Sequence, residues 1–126
     1  LLIEMLSDPD PRVRRFVIDL LGDRKSVAAV DRLCEQLKVE QDPLLVLRAV
    51  GALVQIGDRR AVTPMIDLTY QQDSQQTLQI MFAVAVLGGR EAEAYLVTLA
   101  EGHLDPEVQR GARDALTEMQ KRGLVR

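Results

Sequence analysis

Ala52-Leu53-Val54-Gln55-Ile56-Gly57-Asp58-Arg59-Arg60-Ala61-Val62 ends an apolar helical stripe on a glycine, turns through an aspartate and starts a second apolar segment. Part of this stretch returns later. Leu53 to Ala61 aligns with Val84-Ala85-Val86-Leu87-Gly88-Gly89-Arg90-Glu91-Ala92, and the register carried outward aligns Val13, Leu45, Gln76 and Val108, which are 32, 31 and 32 residues apart. A fixed period of about 30 residues is the signature of a repeat architecture and takes precedence over any local reading.

The same register gathers like residues into columns: Val17, Ala49, Ile80 and Ala112; Leu20, Ala52, Ala83 and Ala115; Leu21, Leu53, Val84 and Leu116. Offsets of four, seven and eight from the first residue define one stripe of an α-helix, so each repeat opens with an amphipathic helix. Before each helix stands an aspartate followed by proline or serine: Asp10-Pro11, Asp42-Pro43, Asp73-Ser74 and Asp105-Pro106. The carboxylate accepts from free backbone N–H groups of the first turn, and proline there loses no hydrogen bond. Gly57 and Gly88-Gly89 permit the positive φ that ends the first helix of the middle repeats. A second helix follows, with apolar columns Leu33, Met65 and Leu96, then Cys34, Ile66 and Val97, and small Ala29, Ala61 and Ala92 at its tight start. The spacing predicts helices at 10–22, 26–39, 43–56, 60–71, 74–87, 90–101 and 105–121. Leu1 to Leu6 reads as the last turns of a preceding helix.

Composition agrees. Hydrophobic residues make up 47% and charged residues 28% of the 126, which describes a folded chain rather than a disordered one. Aromatics are 3% and tryptophan is absent, leaving Leu, Val, Ile, Ala and Met to build helix-on-helix contacts. The formal net charge of -3 opposes a general grip on phosphate backbones or anionic lipid. No apolar run approaches the ~20 residues that span a bilayer. One cysteine cannot form an internal disulfide and fits a reducing, cytoplasmic setting. The chain reads as one domain, 1–126, a segment of a longer protein, with Leu53 at its centre and Leu124 at a frayed end.

The Asp-Pro start, the apolar stripe and the Ala-Leu-x-x-Ile-Gly-Asp-x-Arg-Ala-Val run at Ala52 to Val62 resemble the short HEAT-like repeat first described in bilin lyases. The resemblance implies an all-α fold, a right-handed α-α superhelix of about three full helix hairpins plus a half hairpin at each end. The family's usual arginine after the first apolar position stands here only as Arg14, with Val46, Thr77 and Gln109 in its place. Iron-dependent hydroxylases of this repeat class carry His-Glu pairs inside their helices, whereas His103 is followed by Leu104 and stands alone in a loop. Helical-repeat DNA glycosylases use aromatic and acidic groups beside a basic channel, and this acidic chain has no tryptophan. Arg59-Arg60 and Arg12-Arg14-Arg15 read as solvated charges at helix starts. Cys34 shares its column with Ile66 and Val97, which makes it a core residue rather than a nucleophile. No catalytic residue, metal or cofactor is expected. The function implied is a protein-binding scaffold; the alternatives are a non-catalytic part of a bilin-lyase-like enzyme, or a nucleic-acid-binding helical repeat.

Two surfaces follow from the helical wheels. Second helices line the concave side of such a stack, and their outward positions give Asp31, Arg32, Glu35, Thr63, Asp67, Tyr95 and Thr98, flanked by Arg60 and Tyr70. Tyr95, Arg32 and Arg60 are the leading contact candidates, because Tyr and Arg are enriched in interface hot spots. On the first helices, offsets two, six and nine lie at about 200°, 240° and 180°, opposite the core stripe. There the middle repeats carry Leu47, Gly51 and Val54, then Leu78, Phe82 and Ala85, where polar residues belong. Leu47, Val54, Leu78 and Phe82 are thus expected to form a convex apolar patch. Its occupant would be another chain, another part of the parent protein or a second copy, unless neighbouring helices of the stack shade these positions.

Overall fold

The computed structural model describes residues 2–70 and 73–123. Among them are seven α-helices and no strand: α1 (Pro11–Asp23), α2 (Val30–Val39), α3 (Pro43–Ile56), α4 (Val62–Thr69), α5 (Ser74–Leu87), α6 (Arg90–Gly102) and α7 (Pro106–Lys121). The all-α class is as the repeat implied. Gln71, the expected end of the fourth helix, and Leu124, the expected frayed end, lie outside the described residues.

Aspartates start the helices as their chemistry demands. Asp10, Asp42 and Asp105 accept from the backbone N–H two residues on, with proline at the first helical position, and Asp73 accepts from the N–H of Gln76. Gly57 caps α3 at φ 77°, the left-handed conformation that costs most residues about 1–2 kcal/mol. The equivalent position in the first repeat is Lys25, which adopts φ 50° without a glycine's freedom.

Two predicted helices begin differently. Tight 3-10 turns at Val27–Ala29 and Arg59–Ala61 precede α2 and α4, each ending on a fully buried alanine, Ala29 and Ala61. The segment before α1 is likewise a 3-10 turn, Ile3–Ser7, rather than the end of an α-helix; its Leu6 is fully buried.

The chain divides into two compact units, Leu1–Pro64 and Met65–Arg126. In the first, the 3-10 turn at Ile3–Ser7 and α3 both pack on α1, and α2 packs on α3. Val17, Ile18, Leu21, Leu33, Leu45, Ala49 and Leu53 form its core. In the second, α7 packs on both α5 and α6, burying Ile80, Met81, Val84, Leu96, Val108, Ala112 and Met119. Most of the predicted columns are buried; Val13, Leu20, Gln76, Ala83 and Leu116 are half-buried, and Val97 is exposed. On α6 the buried stripe runs through Ala92, Tyr95, Leu96, Leu99 and Ala100, so the wheel is turned towards the tyrosine and away from Val97.

Candidate interaction surfaces

In the first unit, Arg14 reaches back from the first turn of α1. Its Nε and Nη2 donate to the two Glu40 carboxylate oxygens at 2.9 and 3.0 Å, and its Nη1 donates to the carbonyls of Asp8 and Pro9 at 2.9 and 3.1 Å. Gln36 Nε2 donates to Glu40 Oε1 at 3.0 Å, and Arg32 bridges Gln36 Oε1 and Ser7 Oγ, both at 2.8 Å. The network ties the turn before α1, the end of α2 and the start of α3 around a cleft of about 390 Å³. The Glu40 side chain is 1% exposed. Burial alone would raise its pKa, but hydrogen bonds from Arg14, Gln36 and the Asp42 N–H outweigh it and hold the carboxyl below its ordinary value. Sequence reasoning missed Glu40 and Gln36; the lone family arginine at Arg14, which needs an acidic acceptor, was the signal that could have found them.

Gln109, at the same repeat position as Arg14, donates from Nε2 to the His103 carbonyl at 2.6 Å, again six residues back. The same loop-bracing bond is thus made with a different side chain. His103 is half-buried rather than freely solvated, and its Nδ1 accepts from the Asp105 N–H at 3.0 Å.

The second-helix residues separate into distinct roles. Asp31 and Glu35 are exposed on α2, and Arg60 is held over them by Asp58 at 2.9 Å and Asp31 at 3.4 Å. The Arg60 hydrogen bonds hold the Asp58 carboxyl below its ordinary pKa. Arg32 departs from expectation: it is half-buried and spends its guanidinium inside the Ser7–Gln36 network. Thr63 is exposed. In the second unit Asp67, Tyr70 and Thr98 are exposed, but Tyr95 is not. The expected surface tyrosine is 7% exposed, its hydroxyl paired with that of Thr69, which donates to the Ile66 carbonyl at 2.7 Å. Thr69 gives the phenol a buried partner, so the ring can join the core without stranding a polar group. Burial raises the Tyr95 pKa.

On the first helices, Leu47 and Val54 are half-buried, and Leu47 lines a groove of about 520 Å³ with Pro11, Arg12, Arg15, Leu44 and Arg48. In the second unit Leu78 is shaded by α7: a Cβ added at Gly111 would meet its Cδ2 at 2.8 Å. Phe82 is 46% exposed. Among the described residues no group of three or more His, Cys, Asp and Glu could hold a metal ion, and no helix is long and apolar enough to cross a membrane. Cys34 is buried, which pushes its thiol pKa up.

Comparison with known proteins agrees with the repeat geometry: the family described as HEAT repeats matches residues 1–80. The chain belongs to the HEAT-repeat family. A curated relative of this HEAT-repeat chain, the bilin biosynthesis protein PecE of Mastigocladus laminosus, is 37% identical over 75 residues. Those residues make up 60% of this chain but 28% of the relative, so the match spans little more than a quarter of that protein. The resemblance read from Ala52 to Val62 is thereby borne out.

Proposed function

We propose that this HEAT-repeat chain is a protein-binding module with no catalysis of its own, working in a reducing, cytoplasmic compartment and gripping its partner with the outward faces of its second helices. The supporting observation is the α2 face, where exposed Asp31 and Glu35 stand beside an Arg60 already held by two carboxylates. A cation fixed in this way loses less side-chain freedom on binding than a free one, which favours recognition of a mixed-charge protein surface. The arginines argue against nucleic acid. Arg12, Arg14, Arg48 and Arg60 each lie within 3.0 Å of a carboxylate, which offsets the charge a phosphate backbone would need.

The test is affinity capture from the source cell with the wild type and with Asp31→Lys combined with Glu35→Lys. Both side chains are exposed, so the fold should survive. Loss of specific partners with the variant is the expected result. Recovery of the same set in undiminished yield would remove the α2 face from the proposal.

The likeness to a bilin biosynthesis protein favours a second reading, a non-catalytic contribution to bilin handling. Cys34 is a poor nucleophile for attaching a bilin, since it is buried and its thiolate is disfavoured. Mixing the chain with a free bilin should give at most a reversible change in the absorption spectrum. A pigment that survives denaturation would instead show covalent attachment and contradict the non-catalytic assignment.

A further inference from the structure

The groove of about 520 Å³ on the first helices is bounded by α1 on one side and α3 on the other, two helices that stack directly on each other within one unit. Its size falls among pockets that hold small ligands, ~300–1,000 Å³. The buried Leu45 lies at its floor, and the two sides differ in kind. From α1 come Arg12 and Arg15; from α3 come Leu44, which is 72% exposed, and Leu47, with Arg48 beside them. Three guanidiniums therefore line a groove in a chain whose net charge is -3. The carboxylate that lines it, Asp42, is committed to the Leu44 N–H as the cap of α3.

These cations keep donors to spare. Arg48 binds Asp19 through Nη1 alone, Arg12 binds Asp10 through Nε and Nη2, and Arg15 makes no hydrogen bond or ion pair among the described residues. Both pairs are partly open to solvent, which weakens them and lets an incoming carboxylate share either guanidinium. The repeat does not impose this arrangement. At the same positions the second unit has Gln75 and Leu78 on α5 and Glu107, Arg110 and Gly111 on α7, neither an arginine pair on the earlier helix nor leucines on the later one.

We propose that the α1·α3 groove holds a short segment of another protein in which an aliphatic or aromatic residue is flanked by carboxylates. The apolar residue packs on Leu44, Leu45 and Leu47, and the carboxylates take the free donors of Arg15 and Arg48. A phosphate backbone is a poorer fit, since it sets nothing apolar against the leucines and meets arginines already shared with Asp10 and Asp19. This chain's own Leu104 is 97% exposed next to Asp105, but that carboxylate is spent on capping α7, which points to a different protein rather than a second copy. The groove is separate from the α2 face, so the two surfaces can fail independently.

A random dodecapeptide library displayed on phage and selected against the full chain tests this. Enriched sequences should share a Leu, Ile or Phe with at least two Asp or Glu close by. In fluorescence anisotropy, binding of an enriched peptide should weaken at least about tenfold with Arg15→Glu and, separately, with Leu44→Asp, since each sets a like charge against the peptide's carboxylates. Both positions are exposed, so circular dichroism should show the helices intact. Asp31→Lys combined with Glu35→Lys should leave the affinity unchanged. The proposal is overturned by enrichment of basic sequences or of no common pattern, by indifference to either groove variant, or by an equal loss with the α2-face variant. Unfolding of both groove variants would also overturn it, by assigning these residues to the core. Tighter binding of oligothymidylate or phosphatidylserine vesicles that depends on Arg15 would replace it with a phosphate ligand, and self-association lost in Arg15→Glu would give the groove to a second copy.

Discussion

Gly22 and Gly51 both sit in helices that make up the α1·α3 pair, yet replacing each by alanine should have opposite effects. A Cβ at Gly22 would lie 2.9 Å from both the Cα and the Cβ of Ala52 and 2.5 Å from Gln55 Oε1. Comfortable carbon contacts lie near 3.5–4.0 Å, so α1 and α3 must separate by about half an ångström or more. The Gln55 amide can swing aside, but the Ala52 backbone cannot. Such overpacking costs roughly 1–3 kcal/mol, and removing a helical glycine returns at most about 1 kcal/mol, less near the end of α1. Gly22→Ala should therefore lose about 1–2 kcal/mol. At Gly51 an added Cβ meets nothing within 4 Å, so the same change should gain about 0.5–1 kcal/mol. The variants should differ by about 2 kcal/mol or more in urea denaturation followed by far-UV circular dichroism, with unchanged slopes. For a chain of this size that corresponds to roughly 5–10 °C in Tm. A Gly22→Ala protein as stable as the wild type would refute the close crossing of α1 and α3.

Lys25→Gly should stabilise the first unit by about 0.5–1 kcal/mol in the same assay, because glycine carries the φ of 50° without the strain a side chain imposes there; a loss would show that the lysine is not strained. Leu53→Ala, at a position 1% exposed, should cost about 2–5 kcal/mol, whereas a cost below about 1 kcal/mol would place it outside the core. Arg14→Ala should cost about 3 kcal/mol by leaving the buried Glu40 carboxylate without its main partner, and an unchanged denaturation midpoint would mean that the network bears no load. Glu40 contributes a pH dependence of definite sign. Its folded pKa is depressed, so its stabilisation is complete above the ordinary carboxyl value of 4.5 and is lost as pH falls through the folded value. Below about pH 5 the wild type should lose stability more steeply than Glu40→Gln, and parallel acid profiles would contradict the assignment.

The repeat was legible because its signals are local and redundant. An aspartate cap, a helical stripe and a glycine stop each follow from backbone chemistry within a few residues, and the four copies of the first two and two of the third correct one another. The surfaces were less legible, since the direction of a side chain depends on partners far away in sequence. Tyr95 holds the repeat position of the half-buried Arg32 on α2, and the hydroxyl of Thr69, 26 residues earlier, gives its phenol a buried partner. Arg32 looked like a free cation until Gln36 and Ser7 claimed it. Phe16 shows the reverse relation. Taken alone it is one exposed aromatic, and such residues need no explanation. Set beside Arg48 and Gly111, the residues at the same repeat position, it shows one column holding an ion pair, a close helix crossing and an exposed ring. The period of the sequence thus identifies equivalent positions, and the differences among equivalents point to surfaces that a single helix wheel cannot reveal.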